Sequence, residues 1–154
     1  MSKGMIMKYV LLLSILVLSA CSSTTEVANV ATEATPTDLN QLVEKAIVRY
    51  PASVNGTFQF SIKSTHSKDG VVYLNTHVNE KDPKNIAVVL AQSTIDDFIQ
   101  VYGSSLESYF KGKTIEVDGH VKLKQLIPVK DGKHYYKTEI QVRNTDNLKV
   151  MDQV

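Results

Sequence analysis

Ile115, Val117, Gly119, Val121 and Leu123 fall at every second position and alternate with Glu116, Asp118, His120, Lys122 and Lys124. Successive side chains of a strand point to opposite faces, so this stretch reads as a strand with one dry face and one wet face. A dry face of that length must be buried against other elements, and the rest of the sequence offers them. Phe58, Phe60 and Ile62 alternate with Gln59, Ser61 and Lys63, while Tyr136, Thr138, Ile140 and Val142 form a third run of period two. Residues 86–91 (IAVVLA) are apolar at every position, which suits a strand covered on both sides.

Turn and helix signals join these runs. Asp69-Gly70 marks a hairpin that returns through Val71, Val72, Tyr73, Leu74 and Asn75. A three-residue loop of Asp69, Gly70 and Val71 pairs Lys68 with Val72 and Ile62 with Val78. That register puts Phe58, Phe60, Ile62, Val72, Leu74 and Val78 on one face, whereas a two-residue loop would place Tyr73 and His77 there. The first makes the better core and is the one expected. Lys81-Asp82-Pro83-Lys84 and Lys130-Asp131-Gly132-Lys133 read as polar breaks. Leu39, Leu42, Val43, Ala46 and Ile47 have helical spacing behind an Asp38 N-cap, and Tyr50-Pro51 ends that helix because a residue before proline avoids the helical region. A second helix is expected after Ser93-Thr94, with Ile95, Phe98, Ile99, Tyr102 and Leu106 on one stripe, a kink at Gly103 and a stop at Gly112.

The resulting order is strand, strand, strand, helix, strand, strand. It resembles the OB-fold, a five-stranded Greek-key barrel. The resemblance spans residues 57–151 and rests also on VYLN at 72–75 and on KTIEVDG at 113–119. The expected fold is therefore mainly β with α: a five-stranded OB-fold-like barrel, a helix between strands three and four, and a short helix before the first strand. Gly119 is the expected place for the bulge or sharp coil that a small closed barrel needs. Such a fold narrows function little, because function lies in the site a fold carries.

Location is written at the other end of the chain. Lys3 and Lys8 precede an apolar run from Tyr9 to Leu18, and small residues follow up to Cys21. A charged start, a short apolar stretch and small residues at a cut site describe a secretory signal. The run has about half of the roughly 20 residues a spanning helix requires. Leu18-Ser19-Ala20-Cys21 resembles the lipobox of bacterial lipoproteins, which implies cleavage before Cys21 and acylation of its thiol and new amino group. Ser22 follows where an aspartate would mark inner-membrane retention, so the resemblance implies the periplasmic face of the outer membrane. Residues 1–20 are then the signal and 21–38 the lipidated cysteine with a Ser-, Thr- and Ala-rich tether. Residues 39–154 form the OB-fold-like domain.

Charge and chemistry bound what that domain does. Without residues 1–20 the chain carries 15 basic and 16 acidic side chains, a balance unlike that of proteins whose affinity comes from neutralising phosphates. Cys21 is the only cysteine, so no disulfide staples the domain. No Gly-x-Ser-x-Gly elbow and no histidine pair with zinc-motif spacing is present, and Arg49 and Arg143 are the only arginines. No catalytic residue, cofactor or metal is expected. OB-folds bind ligands across strands two and three with help from neighbouring loops. That projection selects Tyr73, Asn75, His77, Lys122, Lys124 and Tyr135 as candidate ligand-binding residues. Two functions remain open: a non-enzymatic, membrane-anchored module that binds an envelope protein, peptide or glycan, and a single-stranded oligonucleotide-binding barrel. Residues 111–149 hold nine basic and five acidic groups, which leaves room for the second.

The anchor has a direct test. Cys21→Ser should give an unacylated, uncleaved precursor that takes up no labelled fatty acid; normal acylation and membrane retention of that variant would refute the lipobox reading.

Overall fold

The computed structural model describes residues 36–130 and 133–151, with the side chains of residues 125–135 outside the description. Cys21 and the proposed tether up to residue 35 lie outside it too. The described residues belong to one compact unit, which contains the hydrophobic core found among them.

The unit begins with α1 (Leu39–Arg49). The Asp38 carboxylate accepts from the backbone N–H groups of Asn40 and Gln41 at 3.0 and 3.2 Å, satisfying donors that the first turn leaves free. Leu42, Val43 and Ala46 are buried, as the spacing requires. Ile47 departs from the expectation: it lies one step past the buried stripe and is 55% exposed. Chain and sheet already meet before the helix, since Gln59 N–H donates to Thr37 Oγ1 at 2.8 Å.

Strands β1 (Val54–Ser61), β2 (Ser64–Lys68), β3 (Val71–Asn75) and β4 (Ile86–Leu90) follow. Then come α2 (Ile95–Tyr102), α3 (Leu106–Phe110), β5 (Thr114–Lys130), β6 (Lys133–Val142) and β7 (Leu148–Met151). The seven strands form one mixed sheet in the order β1-β5-β6-β4-β3-β2, with β7 on the edge of β5. Only β4 and β6 run parallel. The fold is thus mainly β with helices, but among the described residues there are seven strands where five were expected, and no ladder joins β1 to β2.

The extra strand count arises at one joint. Ile62 N–H donates to Lys113 O and Lys63 N–H to Asn75 O, both at 2.8 Å, so the backbone changes partners between adjacent residues. Before the joint, even-numbered Phe58, Phe60 and Ile62 are buried. After it, odd-numbered Thr65 and Ser67 pair with the buried Leu74 and Val72. This change of parity overturns the expected hairpin register. Lys68 pairs with Val71 across a two-residue turn in which Asp69 and Gly70 have φ of 52° and 74°. Positive φ at both positions is the type I′ geometry that matches strand twist. Val78, expected in the core, is 80% exposed, and Tyr73 and His77 are only half-buried.

The expected long helix is two short ones. Gly103, at φ 89°, ends α2, and α3 restarts at Leu106. The Thr94 hydroxyl does not cap α2; it donates to Ala91 O at 3.0 Å. Phe98, Leu106 and Phe110 are buried from these helices, and Thr65 Oγ1 ties β2 to α3 by donating to Glu107 O at 3.1 Å. Tyr102 donates to Leu148 O at 3.0 Å, and burial, with Tyr109 beside it, raises its phenol above the ordinary value.

Strand β4 is buried at all five positions, as its composition demanded. Gly119 does not form a bulge: it pairs with Gly56 in an unbroken ladder, and the irregularity in β5 falls between Leu126 and Lys130. A Cβ at Gly119 would come within 3.1 Å of Ile140 Cδ1, so close approach explains the glycine. Tyr136 is 47% exposed, unlike Thr138, Ile140 and Val142, which complete the buried face of β6.

Phe60 is 1% exposed in the centre of this core. Phe60→Ala should therefore cost about 3–5 kcal/mol of stability, read as a lower urea midpoint at unchanged slope.

Candidate functional site

The ladders bring most of the candidate residues onto one sheet face. Tyr73 stands opposite Val89 and Val89 opposite Gln141, while Asn75, Ala87, Glu139 and Lys122 form the next row. Lys124 stands opposite Lys137. His77 follows β3 in the loop, and Tyr135 pairs with Leu126 in the ladder, with its side chain outside the described set.

Shared face does not mean shared role. Asn75 is fully buried, so the expectation that it meets a ligand fails. Its Oδ1 accepts from Asn85 Nδ2 at 2.9 Å, and its Nδ2 lies 3.3 Å from His66 Nδ1. Asn85 is also buried; it donates to Glu80 O and accepts from His77 N–H and the Thr76 hydroxyl. Thr76 Oγ1 in turn accepts from Ile86 N–H at 2.9 Å. These bonds hold the loop between β3 and β4 shut, and Asn75 and the His77 backbone are parts of that clasp. Lys124 Nζ sits 3.5 Å from the carboxylate of Glu139, whose side chain is only 6% exposed.

Tyr73 is half-buried and its ring is not bare. The His66 imidazole stacks on it with centroids 4.7 Å apart and planes 5° from parallel, and Lys137 Nζ lies 4.6 Å from the ring centre. His66 Nε2 reaches Glu80 at 3.2 Å. The aromatic pair is therefore pinned between the loop and β6.

Lys122 belongs to a different arrangement. It lines a polar groove of about 520 Å³ with Ser53, Asp118, Gly119, His120, Gln141, Arg143 and Asn147. β5 supplies Asp118, His120 and Lys122 from its outward positions, and β6 supplies Gln141, with Arg143 immediately after its end. Arg143 Nη2 donates to Gln141 Oε1 at 3.0 Å, which steadies the guanidinium along the strand. His120 Nδ1 lies 2.7 Å from Asn55 Oδ1. That oxygen can only accept, so Nδ1 carries the proton and Nε2 is left for another partner. The groove thus sets two permanent cations and an imidazole against one carboxylate, Asp118, with amides and a hydroxyl around them. Such a set suits an anionic ligand carrying further polar groups. Among the described residues, no group of three His, Cys, Asp or Glu side chains is placed to hold a metal ion.

The outward positions of β5 were readable from alternation. Of the groove residues only Lys122 is among the candidates from sequence; Asp118 and His120 read only as outward, and Gln141, Arg143, Ser53 and Asn147 reach the groove through strand pairing and turns far apart in sequence.

No family model matches the chain, and no curated protein matches it. Among solved structures, the mitochondrial single-stranded DNA-binding protein of S. cerevisiae aligns with 66% of this chain and 97% of its own at 10% identity and a TM-score of 0.40. An aspartyl-tRNA synthetase from Entamoeba histolytica aligns with 75% of this chain at 13% identity and a TM-score of 0.40. This chain spans 21% of the synthetase. Likeness at that level carries no functional argument.

The clasp gives a stability prediction. Asn85→Ala removes the Asn85 end of four hydrogen bonds in a buried setting and leaves the partners in place. It should cost roughly 2–4 kcal/mol in urea unfolding, from leaving buried polar partners unpaired. Asn85→Asp should not rescue it, because a buried carboxylate oxygen would then face two acceptors, Asn75 Oδ1 and Glu80 O.

Proposed function

We propose that this chain is a non-enzymatic binding module of OB type, held at the periplasmic side of a bacterial membrane by acylated Cys21. In this reading its groove takes the acidic portion of an envelope protein, peptide or glycan. The observation that carries it is the convergence of Lys122, Arg143 and His120 on one groove of about 520 Å³. The OB assignment is supported by counting β1 and β2 as one bent first strand. The order then becomes first, fourth, fifth, third, second and back to first, with the helices between strands three and four and β7 as an addition.

Single-stranded nucleic acid is the second reading, and one observation favours it. The His66–Tyr73 stack with Lys137 above it offers a flat π-surface and a cation on the same sheet face as Lys122. Base stacking on such a surface contributes about 1–3 kcal/mol per base. Lys137 must move aside first, which places this reading behind the other.

One binding series separates the two. The folded chain from Ser22 onward is titrated with poly-glutamate, oligogalacturonate and a 15-nucleotide dT strand at 50 and 200 mM salt. The leading reading expects binding of an acidic peptide or glycan that falls at least tenfold in Lys122→Glu/Arg143→Glu, since hydrogen bonds to charged groups contribute about 1.5–3 kcal/mol each. Binding of dT alone, steeply weakened by salt and lost in Tyr73→Ala, would install the second reading. Absence of binding to every probe at 50 mM salt overturns both.

A further inference from the structure

The end of the domain nearest the anchor in sequence carries an apolar surface that the core does not use. α1 buries Leu42, Val43 and Ala46, yet its last turn leaves Ile47 55% and Val48 84% exposed. Tyr50, at the helix end, meets Tyr136 of β6 edge-to-face with centroids 5.8 Å apart, and each ring is 47% exposed. Ile47, Tyr50 and Tyr136 line an open, mainly apolar groove of about 530 Å³ with Val43, Pro83 and Leu123, and Val48 stands exposed beside Ile47 on the helix, outside that lining. Cations flank it: Lys81 lies on its rim, and Lys45 and Arg49 are exposed one turn apart on α1. Glu44 and Glu80 are exposed acids among them and Asp82 is half-buried, while Lys84 beside Pro83 is a further exposed cation.

We infer that this end of the domain rests on the surface of an anionic lipid bilayer, with Val48, Ile47, Tyr50 and Tyr136 in the headgroup region. The composition fits that medium. Tyrosines favour the interface because one end of the ring is apolar and the other wet. Basic residues beside an apolar patch gain from anionic headgroups within a Debye length. A second copy of this chain is a poorer occupant, because its own cationic rim would face Lys45, Arg49 and Lys81. The sequence also puts this surface within reach. Only residues 22–38 separate the acylated cysteine from α1. Even fully extended, 17 residues reach no more than about 60 Å, so an anchored domain would stay within reach of the bilayer. That last point rests on the proposed anchor; the chemistry of the surface does not.

The chain contains no tryptophan, so one introduced indole reports without background. Val48→Trp and, as a control, Val101→Trp, 60% exposed on α2 outside the groove, are made in the unacylated chain from Ser22 onward. They are also made in the acylated protein. The vesicles are phosphatidylethanolamine with 30% phosphatidylglycerol and brominated acyl chains. The unacylated Val48→Trp protein should shift to the blue and lose at least half its emission on the vesicles, while Val101→Trp stays unchanged. Adding Ile47→Asp should weaken partitioning at least tenfold. The acylated protein should show the same contrast at lower lipid concentration. Equal quenching at positions 48 and 101, or no quenching at 48 in either form, overturns the inference. So does a dimer in sedimentation that Ile47→Asp dissolves. If Cys21 proves unacylated in cells while the unacylated Val48→Trp protein still binds vesicles, the anchor reading fails and the docking surface stands.

Discussion

Between Ile62 and Lys63 the backbone leaves one hydrogen-bonding neighbour for another, and the sheet is organised around that exchange. Every buried peptide group must find a partner, so a strand cannot bend away from its neighbour unless another is ready within a residue or two. Here Lys113 receives the first donor and Asn75 the second. One continuous stretch can then begin the sheet as β1 and end it as β2, wrapping the remaining strands around a single core. Gly112 N–H donates to Ile62 O at 2.9 Å, so the same joint also fixes where the helical segment returns to the sheet. Among the described residues no buried side-chain nitrogen or oxygen lacks a hydrogen-bond partner.

The joint also decides how far the sequence can be read. Alternation located Ile115, Val117 and Val121 on the dry face, and β4 could be read as fully buried from composition alone, because both signals are local. Parity across residues 58–68 is not local. Period two carried through Ile62 puts Val78 in the core; the partner exchange inverts it and leaves Val78 in solvent. Asp69-Gly70 correctly marked a turn, but whether one or two residues beyond it pair depends on φ at Asp69, which a non-glycine residue seldom takes positive. Asn75 shows the same limit at the site. As an outward position of a strand it reads as a contact residue, yet Asn85, ten positions on, folds back and buries it. Lys122 and His120 could be read as outward. Their meeting with Gln141 and Arg143 is a property of the β5–β6 register, which no local pattern contains.

A surface built by register can separate functions sharply. Lys122 and Leu123 are adjacent in β5, so their side chains leave the strand on opposite faces. The first lines the cationic polar groove and the second the apolar groove beside α1. A one-residue slip of β5 against β6 would exchange them and destroy both surfaces together. Occupancy of one therefore need not obstruct the other: a bilayer against Ile47 and Val48 leaves Lys122, His120 and Arg143 facing away from the side chains that touch lipid. The two proposals are physically compatible for that reason. They are also separable, since charge reversal at Lys122 and Arg143 alters one face of the strand while Ile47→Asp alters the helix over the other. A module that must hold a ligand while lying against a membrane needs this division, and alternation within one strand provides it.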